Sequence, residues 1–75
     1  MYVIAETADG VIIADDATTL APGDKIMTLD YTTKTWKVDA TVEAVSEPDE
    51  SGFVTVWTAD GRTYPIGDMV PMIRA

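Results

Sequence analysis

The chain has 75 residues, enough for one hydrophobic core, and a chain of this length buries about 60–65% of its unfolded surface when it folds. Its 13 acidic and 5 basic residues give a net charge of −8, opposite in sign to the Lys and Arg surfaces that bind phosphate backbones. It contains neither Cys nor His, which excludes disulfides, thiolate metal sites and the commonest near-neutral proton shuttle. We therefore predict a single domain, residues 1–75, that does not bind nucleic acid directly.

The apolar segments are too short for targeting or membrane insertion. Glu6 interrupts the first apolar stretch before the core of a secretory signal can form. The remaining apolar runs are far shorter than the ~20 residues of a membrane span. We expect a protein of the cytoplasm, or of a virion assembled there, without a membrane partner.

The first 19 residues predict a β-hairpin followed by a connector. Two short β-branched runs, residues 2–5 and 11–14, flank Asp9-Gly10. An Asp-Gly pair readily adopts the left-handed backbone angles of a tight hairpin turn.

Residues 20–52 predict a turn, two strands and an exposed loop. Pro22-Gly23-Asp24 is typical of a turn, and we expect it to begin a strand over residues 25–31. Residues 36–43 alternate strictly between apolar and polar, as in a strand with one buried face. The predicted inward residues are Trp36, Val38, Ala40 and Val42. The alternation slips at Ala44-Val45, which indicates a bulge that bends the strand, and residues 46–52 form an acidic loop.

A second hairpin is predicted for residues 53–58 and 62–64, around Asp60-Gly61. Pro65 lies near the end of the returning strand, as expected for an edge. Gly67-Asp68 then turns into a closing strand over residues 69–73. Because no segment shows sustained helical spacing, the predicted fold class is all-β, with at most a single helical turn.

From Leu20 onward, this succession of turns resembles the five-stranded SH3-like barrels of the Tudor and KOW type. The resemblance implies a small barrel of about five strands over residues 20–75, preceded by the N-terminal hairpin and connector of residues 1–19. It also implies a scaffold for binding, although a fold of this kind does not fix the function.

A second resemblance covers residues 7–45. Thr7-Ala8-Asp9-Gly10, followed by Leu20 and the segment from Pro22 to Asp30, is similar to the opening of Hint domains of the intein and hedgehog type. Those domains need a Cys or Ser nucleophile at the start and a His for acyl shift. This chain begins Met1-Tyr2 and lacks both Cys and His, so the resemblance implies a relative that has lost the reaction.

No residue set predicts catalysis, a cofactor or a metal. The acidic residues Asp15 and Asp16, and the group Glu47, Asp49 and Glu50, lack the ligand spacing of a calcium loop and indicate solvated loop charge. Carboxylate pairs act as catalysts only where a cleft separates their pKa values, and a barrel this small has little volume for one. We therefore expect a protein that is not an enzyme.

The aromatic residues of the second hairpin indicate a contact surface. Phe53 and Trp57 share one face of their strand, and Val54 and Val56 share the other. Either the N-terminal hairpin covers the aromatic face, which we favour, or that face meets a partner.

The leading hypothesis is an interaction or assembly module, such as a bacteriophage virion accessory or capsid-decorating protein, that binds a protein with a basic surface and forms a homo-oligomer or larger assembly. One alternative is an acidic nucleic-acid mimic that inhibits a DNA-binding protein. Another is a peptide-binding SH3-like adaptor. The predicted partner-binding residues are Phe53, Trp57, Tyr31, Tyr64, Asp49 and Glu50.

Overall fold

The β-branched and alternating segments form seven strands in the computed structural model, which describes all residues from 1 to 75. In chain order the strands are β1 (Tyr2–Thr7), β2 (Gly10–Asp16), β3 (Lys25–Asp30), β4 (Thr35–Val45), β5 (Val54–Thr58), β6 (Thr63–Ile66) and β7 (Met69–Ile73). One 3-10 turn, Ala17–Thr19, is the only helical segment. The all-β prediction is confirmed, and both Asp-Gly hairpins form where the sequence predicted them.

All seven strands belong to one antiparallel sheet with the order β1-β2-β7-β3-β4-β5-β6. The last strand, β7, inserts between the N-terminal hairpin and β3, so the two ends of the chain are joined by hydrogen bonds. The sequence had suggested a closed barrel, but the sheet stays open along β1 and β6. It nevertheless folds over on itself, because its smallest extent is 23 Å whereas one flat sheet layer is roughly 10 Å thick.

The main core lies inside this fold. Its eight buried residues come from β3, β4, β5, β7 and the connector after β2: Ala17, Leu20, Ile26, Val42, Val54, Val56, Val70 and Met72. Strands β7 and β3 contribute to this cluster from one side of the folded-over sheet, and β4 and β5 contribute from the other. Burial of these side chains therefore holds the two sides of the sheet together.

Strand β4 corrects one prediction. The alternating pattern predicts that four residues share one inward face: Trp36, Val38, Ala40 and Val42. In the ladder with β3, Ile26 pairs with Ala40 whereas its neighbour Met27 pairs with Val38, so Asp39 is an extra, bulged residue. Because Ile26 and Met27 point to opposite faces, so do their partners. Ala40 and Val42 are buried on the main-core side, whereas Val38 is 44% exposed on the other.

A second cluster lies on that other face of the sheet. Its buried members are Ile12, Met27 and Ile73, and the partly buried residues packed against them are Ile4, Ala5 and Trp36. The N-terminal hairpin therefore packs on β3, β4 and β7 from the side opposite the main core. This contact also explains why Trp36 is only half-buried and lies outside the main core.

The predicted bulge near Ala44 is confirmed. In the ladder with β5, Val42 pairs with Thr58 and Ala44 pairs with Trp57, so Glu43 is the extra residue. The first part of β4 pairs with β3 and its last part pairs with β5, and the bulge lies in the part that pairs with β5. Strands β5 and β6 therefore continue the sheet from the last part of β4, and the face of these two strands that points away from the main core is a separate outer surface.

Candidate functional site

The outer surface of the second hairpin is apolar and open. Val54, Val56 and Thr58 are buried in β5, and strand alternation therefore directs Phe53 and Trp57 outward. These two aromatic side chains are 45% and 41% exposed. Strand pairing places four smaller residues beside them, and we call the six together the outer patch: Ala44, Phe53, Thr55, Trp57, Thr63 and Pro65.

The N-terminal hairpin does not cover the outer patch. That hairpin lies at the opposite end of the strand order, separated from β5 by three strands, and it packs on the second cluster instead. The favoured sequence interpretation is therefore wrong, and the outer patch faces solvent. Sequence reasoning failed here because the pairing of β2 with β7 is long-range and has no local signal.

Gly67 sets the position of the Phe53 ring. Val54 pairs with Ile66, so the next pair outward along the two strands is Phe53 with Gly67. A Cβ atom at Gly67 would lie 2.5–2.6 Å from three carbons of the ring, a separation that real structures do not contain. The absence of a side chain at Gly67 thus provides the surface on which Phe53 rests.

Asp49 shapes the loop that leads into Phe53. One carboxylate oxygen, Oδ1, accepts hydrogen bonds from the backbone N–H of Ser51 at 2.8 Å and of Phe53 at 3.0 Å. The backbone N–H of Asp49 donates to the Phe53 carbonyl at 2.9 Å. Asp49 therefore positions the aromatic residue, whereas the neighbouring Glu50 is exposed and makes no ion pair.

Tyr31 lies far from the outer patch. It is 82% exposed in the turn between β3 and β4, where Asp30 accepts a hydrogen bond from the backbone of Thr32 and pairs with Lys37 at 2.8 Å. Trp57 pairs with Ala44 at the other end of β4, and nine residues of strand span up to roughly 30 Å. The structure does not bring Tyr31 and Trp57 together.

Tyr64 faces inward. It pairs with Val56 and packs against the main core, and its hydroxyl is buried without a hydrogen-bond partner. Burial raises the pKa of Tyr64, and the negative charge of Asp39 adds to the rise. A groove lined jointly by Tyr31, Trp57 and Tyr64 does not form, and the surface of the molecule has no pocket.

Arg62 and Arg74 make four of the five ion pairs in the molecule. The sequence analysis placed neither arginine in a functional site. Arg74 binds the buried Asp24 at 3.0 Å and Asp15 at 2.8 Å, while Asp24 also accepts from the backbone N–H of Ala75 at 3.0 Å. This network fastens the C-terminal residues to the turn before β3. Arg62 bonds Asp60 at 2.9 Å in the second hairpin turn, where a hydrogen bond from the Thr58 hydroxyl lowers the pKa of Asp60.

The unpaired negative charge is concentrated beside the outer patch. Five of the 13 acidic side chains are in ion pairs, and the other eight are Glu6, Asp9, Asp16, Glu43, Glu47, Asp49, Glu50 and Asp68. Half of these eight lie within residues 43–50, the segment that runs from the β4 bulge toward Phe53. An apolar aromatic surface and a negatively charged segment are therefore adjacent.

No group of three or more potential metal-ligating side chains comes together in the structure. No helix has the length and apolar character needed to cross a membrane. Comparison with known proteins found no match among family models, curated proteins or solved structures.

Proposed function

We propose that this chain is a non-enzymatic interaction module that binds a protein partner with a basic surface through the outer patch. The observation that carries the proposal is the position of Phe53, immediately before β5, and Trp57, within β5, both half-exposed beside half of the acidic residues that make no ion pair. Aromatic residues are enriched in protein interfaces, and complementary charge at the rim steers the partner and fixes its orientation.

Preorganisation supports the same proposal. The backbone of Phe53 is hydrogen-bonded to Asp49, and its ring lies against Gly67. Trp57 lies in β5, which pairs with β4 on one side and with β6 on the other. Side chains that are already positioned lose less conformational entropy when a partner binds. The outer patch therefore has both the chemistry and the rigidity of a contact surface.

The topology supports an SH3-like scaffold. Strands β3 to β7 follow the order β7-β3-β4-β5-β6, a meander in which the last strand returns to pair with the first. We propose that this five-stranded unit is SH3-like and that the N-terminal hairpin is an addition packed on its outside. A binding scaffold of this size suits an accessory component of a larger assembly, such as a bacteriophage virion.

The test is quantitative capture from an extract of the source organism, with mass spectrometry of what is retained at low and high salt. We expect Trp57→Ala to reduce retention of the main partner at least about tenfold, because truncating a central interface aromatic typically costs 2 kcal/mol or more. The double variant Glu47→Gln/Glu50→Gln should reduce retention of the partner less than Trp57→Ala does. It should mainly reduce the salt dependence of that retention, because it removes only charge at the rim of the interface. The opposite order, with a nuclease or polymerase lost at high salt, would contradict the proposal and support the nucleic-acid mimic.

A further inference from the structure

The two edges of the sheet differ in how well they are protected. Strand β6 is four residues long and contains Pro65, which has no N–H to offer a further strand. Strand β1 is six residues long, contains neither Pro nor Lys, and pairs only with β2. The register with β2 shifts between Val3 and Ala5, so Ile4 forms a bulge, but neither Pro nor Lys blocks the outward backbone groups on either side of that bulge, and they remain available to one more strand.

The start of β1 is also uncovered on both faces. Tyr2 and Val3 are consecutive in the strand, so their side chains point to opposite sides of the sheet, yet they are 62% and 61% exposed. Only farther along, at Ile4 and Ala5, does the strand pack against the second cluster. Largely exposed apolar side chains on both faces and a free edge occur together at Tyr2 and Val3, whereas on the other edge, β6, Tyr64 and Ile66 pack against the main core.

Charge decides which strand fits this edge. Residues 1–7 carry one charged side chain, Glu6, in a molecule of net charge −8, so the contact itself adds only this one acidic side chain per copy to the overall repulsion. In an antiparallel pair centred near Ile4 the two Glu6 side chains are roughly 13 Å apart, beyond the Debye length of about 8 Å at physiological salt. A parallel pair would place them side by side.

We propose that β1 is a homodimer contact, in which β1 of a second copy of this chain adds antiparallel to the first and continues the sheet across a twofold axis. Such an interface is self-complementary, because each copy supplies the same edge and the same exposed Tyr2 and Val3. It lies on the N-terminal hairpin rather than on the outer patch, so it is independent of the partner binding proposed above.

The experiment is sedimentation equilibrium of the full chain from about 1 μM to about 1 mM, the range of weak to moderate interfaces. We expect a monomer–dimer equilibrium that strengthens with added salt, because screening weakens repulsion between two acidic copies. Val3→Lys should weaken the dimer at least about tenfold, because it removes an apolar side chain that the second copy would cover and places a positive charge on each copy at the contact. Thermal unfolding of the dilute variant checks that the monomer still folds.

Val38→Lys is the matched control. It makes the same substitution, with the same change in charge, at an exposed valine on the interior strand β4, and it should leave dimerisation unchanged. Trp57→Ala should also dimerise normally, which separates this contact from the outer patch. A chain that stays monomeric at all concentrations, or a dimer that Val3→Lys leaves intact, overturns the proposal and leaves the edge to a strand of another protein.

Discussion

At the scale of single residues, the contact between Phe53 and Gly67 determines how the outer patch is presented. Gly67 lacks a positive φ angle, so its backbone accepts any residue, and only the ring of Phe53 requires glycine there. The requirement therefore belongs to the contact surface and not to the turn itself.

Gly67→Ala should lower the free energy of unfolding by about 1–3 kcal/mol, because the new methyl group overlaps the ring and forces it to move. In a Phe53→Ala background the same substitution should be neutral or slightly stabilising, since alanine restricts the unfolded chain more than glycine does. Denaturant titrations of the parent, the two single variants and the double variant give the coupling free energy between Phe53 and Gly67. Equal costs in both backgrounds would show that the ring does not rest on Gly67.

The buried hydroxyl of Tyr64 predicts a pH effect. Its pKa is raised from 10.0, so the unfolded chain loses this proton at a lower pH than the folded chain. The contribution of Tyr64 to stability is therefore complete below about pH 10 and is lost as the pH rises toward the folded pKa.

Tyr64→Phe should be as stable as the parent at neutral pH, or more stable by up to about 1 kcal/mol, because it removes an unpartnered hydroxyl. Above pH 10 it should lose less stability than the parent. Tyr31→Phe, at the exposed tyrosine, is the control and should follow the parent throughout. Urea unfolding as a function of pH measures all three, and identical alkaline slopes for Tyr64→Phe and the parent would contradict the expected burial.

At the scale of elements, β4 shows where sequence reasoning stops. The pattern of residues 36–43 predicted the strand correctly, and the slip at Ala44-Val45 predicted its second bulge. The first bulge, at Asp39, left no trace in the pattern, because a polar residue is expected at that position whether or not it is bulged. An extra residue that keeps the apparent alternation reverses the face without changing the sequence signal.

Two valines on β4 therefore should behave differently although the sequence pattern makes them equivalent. Val42→Ala should cost about 2 kcal/mol, because Val42 is buried in the main core and its truncation leaves a cavity. Val38→Ala should cost less than about 0.5 kcal/mol, because Val38 is largely exposed beyond the Asp39 bulge. Equal losses in denaturant unfolding would mean that β4 has one continuous inward face.

At the scale of the whole molecule, local order was predictable and long-range order was not. Every strand and turn lies close to its predicted position, because Asp-Gly pairs, Pro65 and alternation act within a few residues. The insertion of β7 between β2 and β3, and the packing of the N-terminal hairpin on the second cluster, depend on pairings across most of the chain. Because the N-terminal hairpin packs on the second cluster, Phe53 and Trp57 stay exposed. Tyr31 is kept apart from them by the length of β4, and Tyr64 by its inward position on β6.

The most direct test of the proposed contact surface is an NMR titration of the isotope-labelled chain with the partner recovered by capture. We predict that the largest amide shift changes fall on residues 53–57 and 63–67 and at Ala44, around the outer patch, with weaker changes over residues 46–50. The amides of residues 30–34, at the far end of β4, should not move. Changes centred on residues 30–34, or spread evenly over the acidic loops without β5 and β6, would contradict binding through the outer patch.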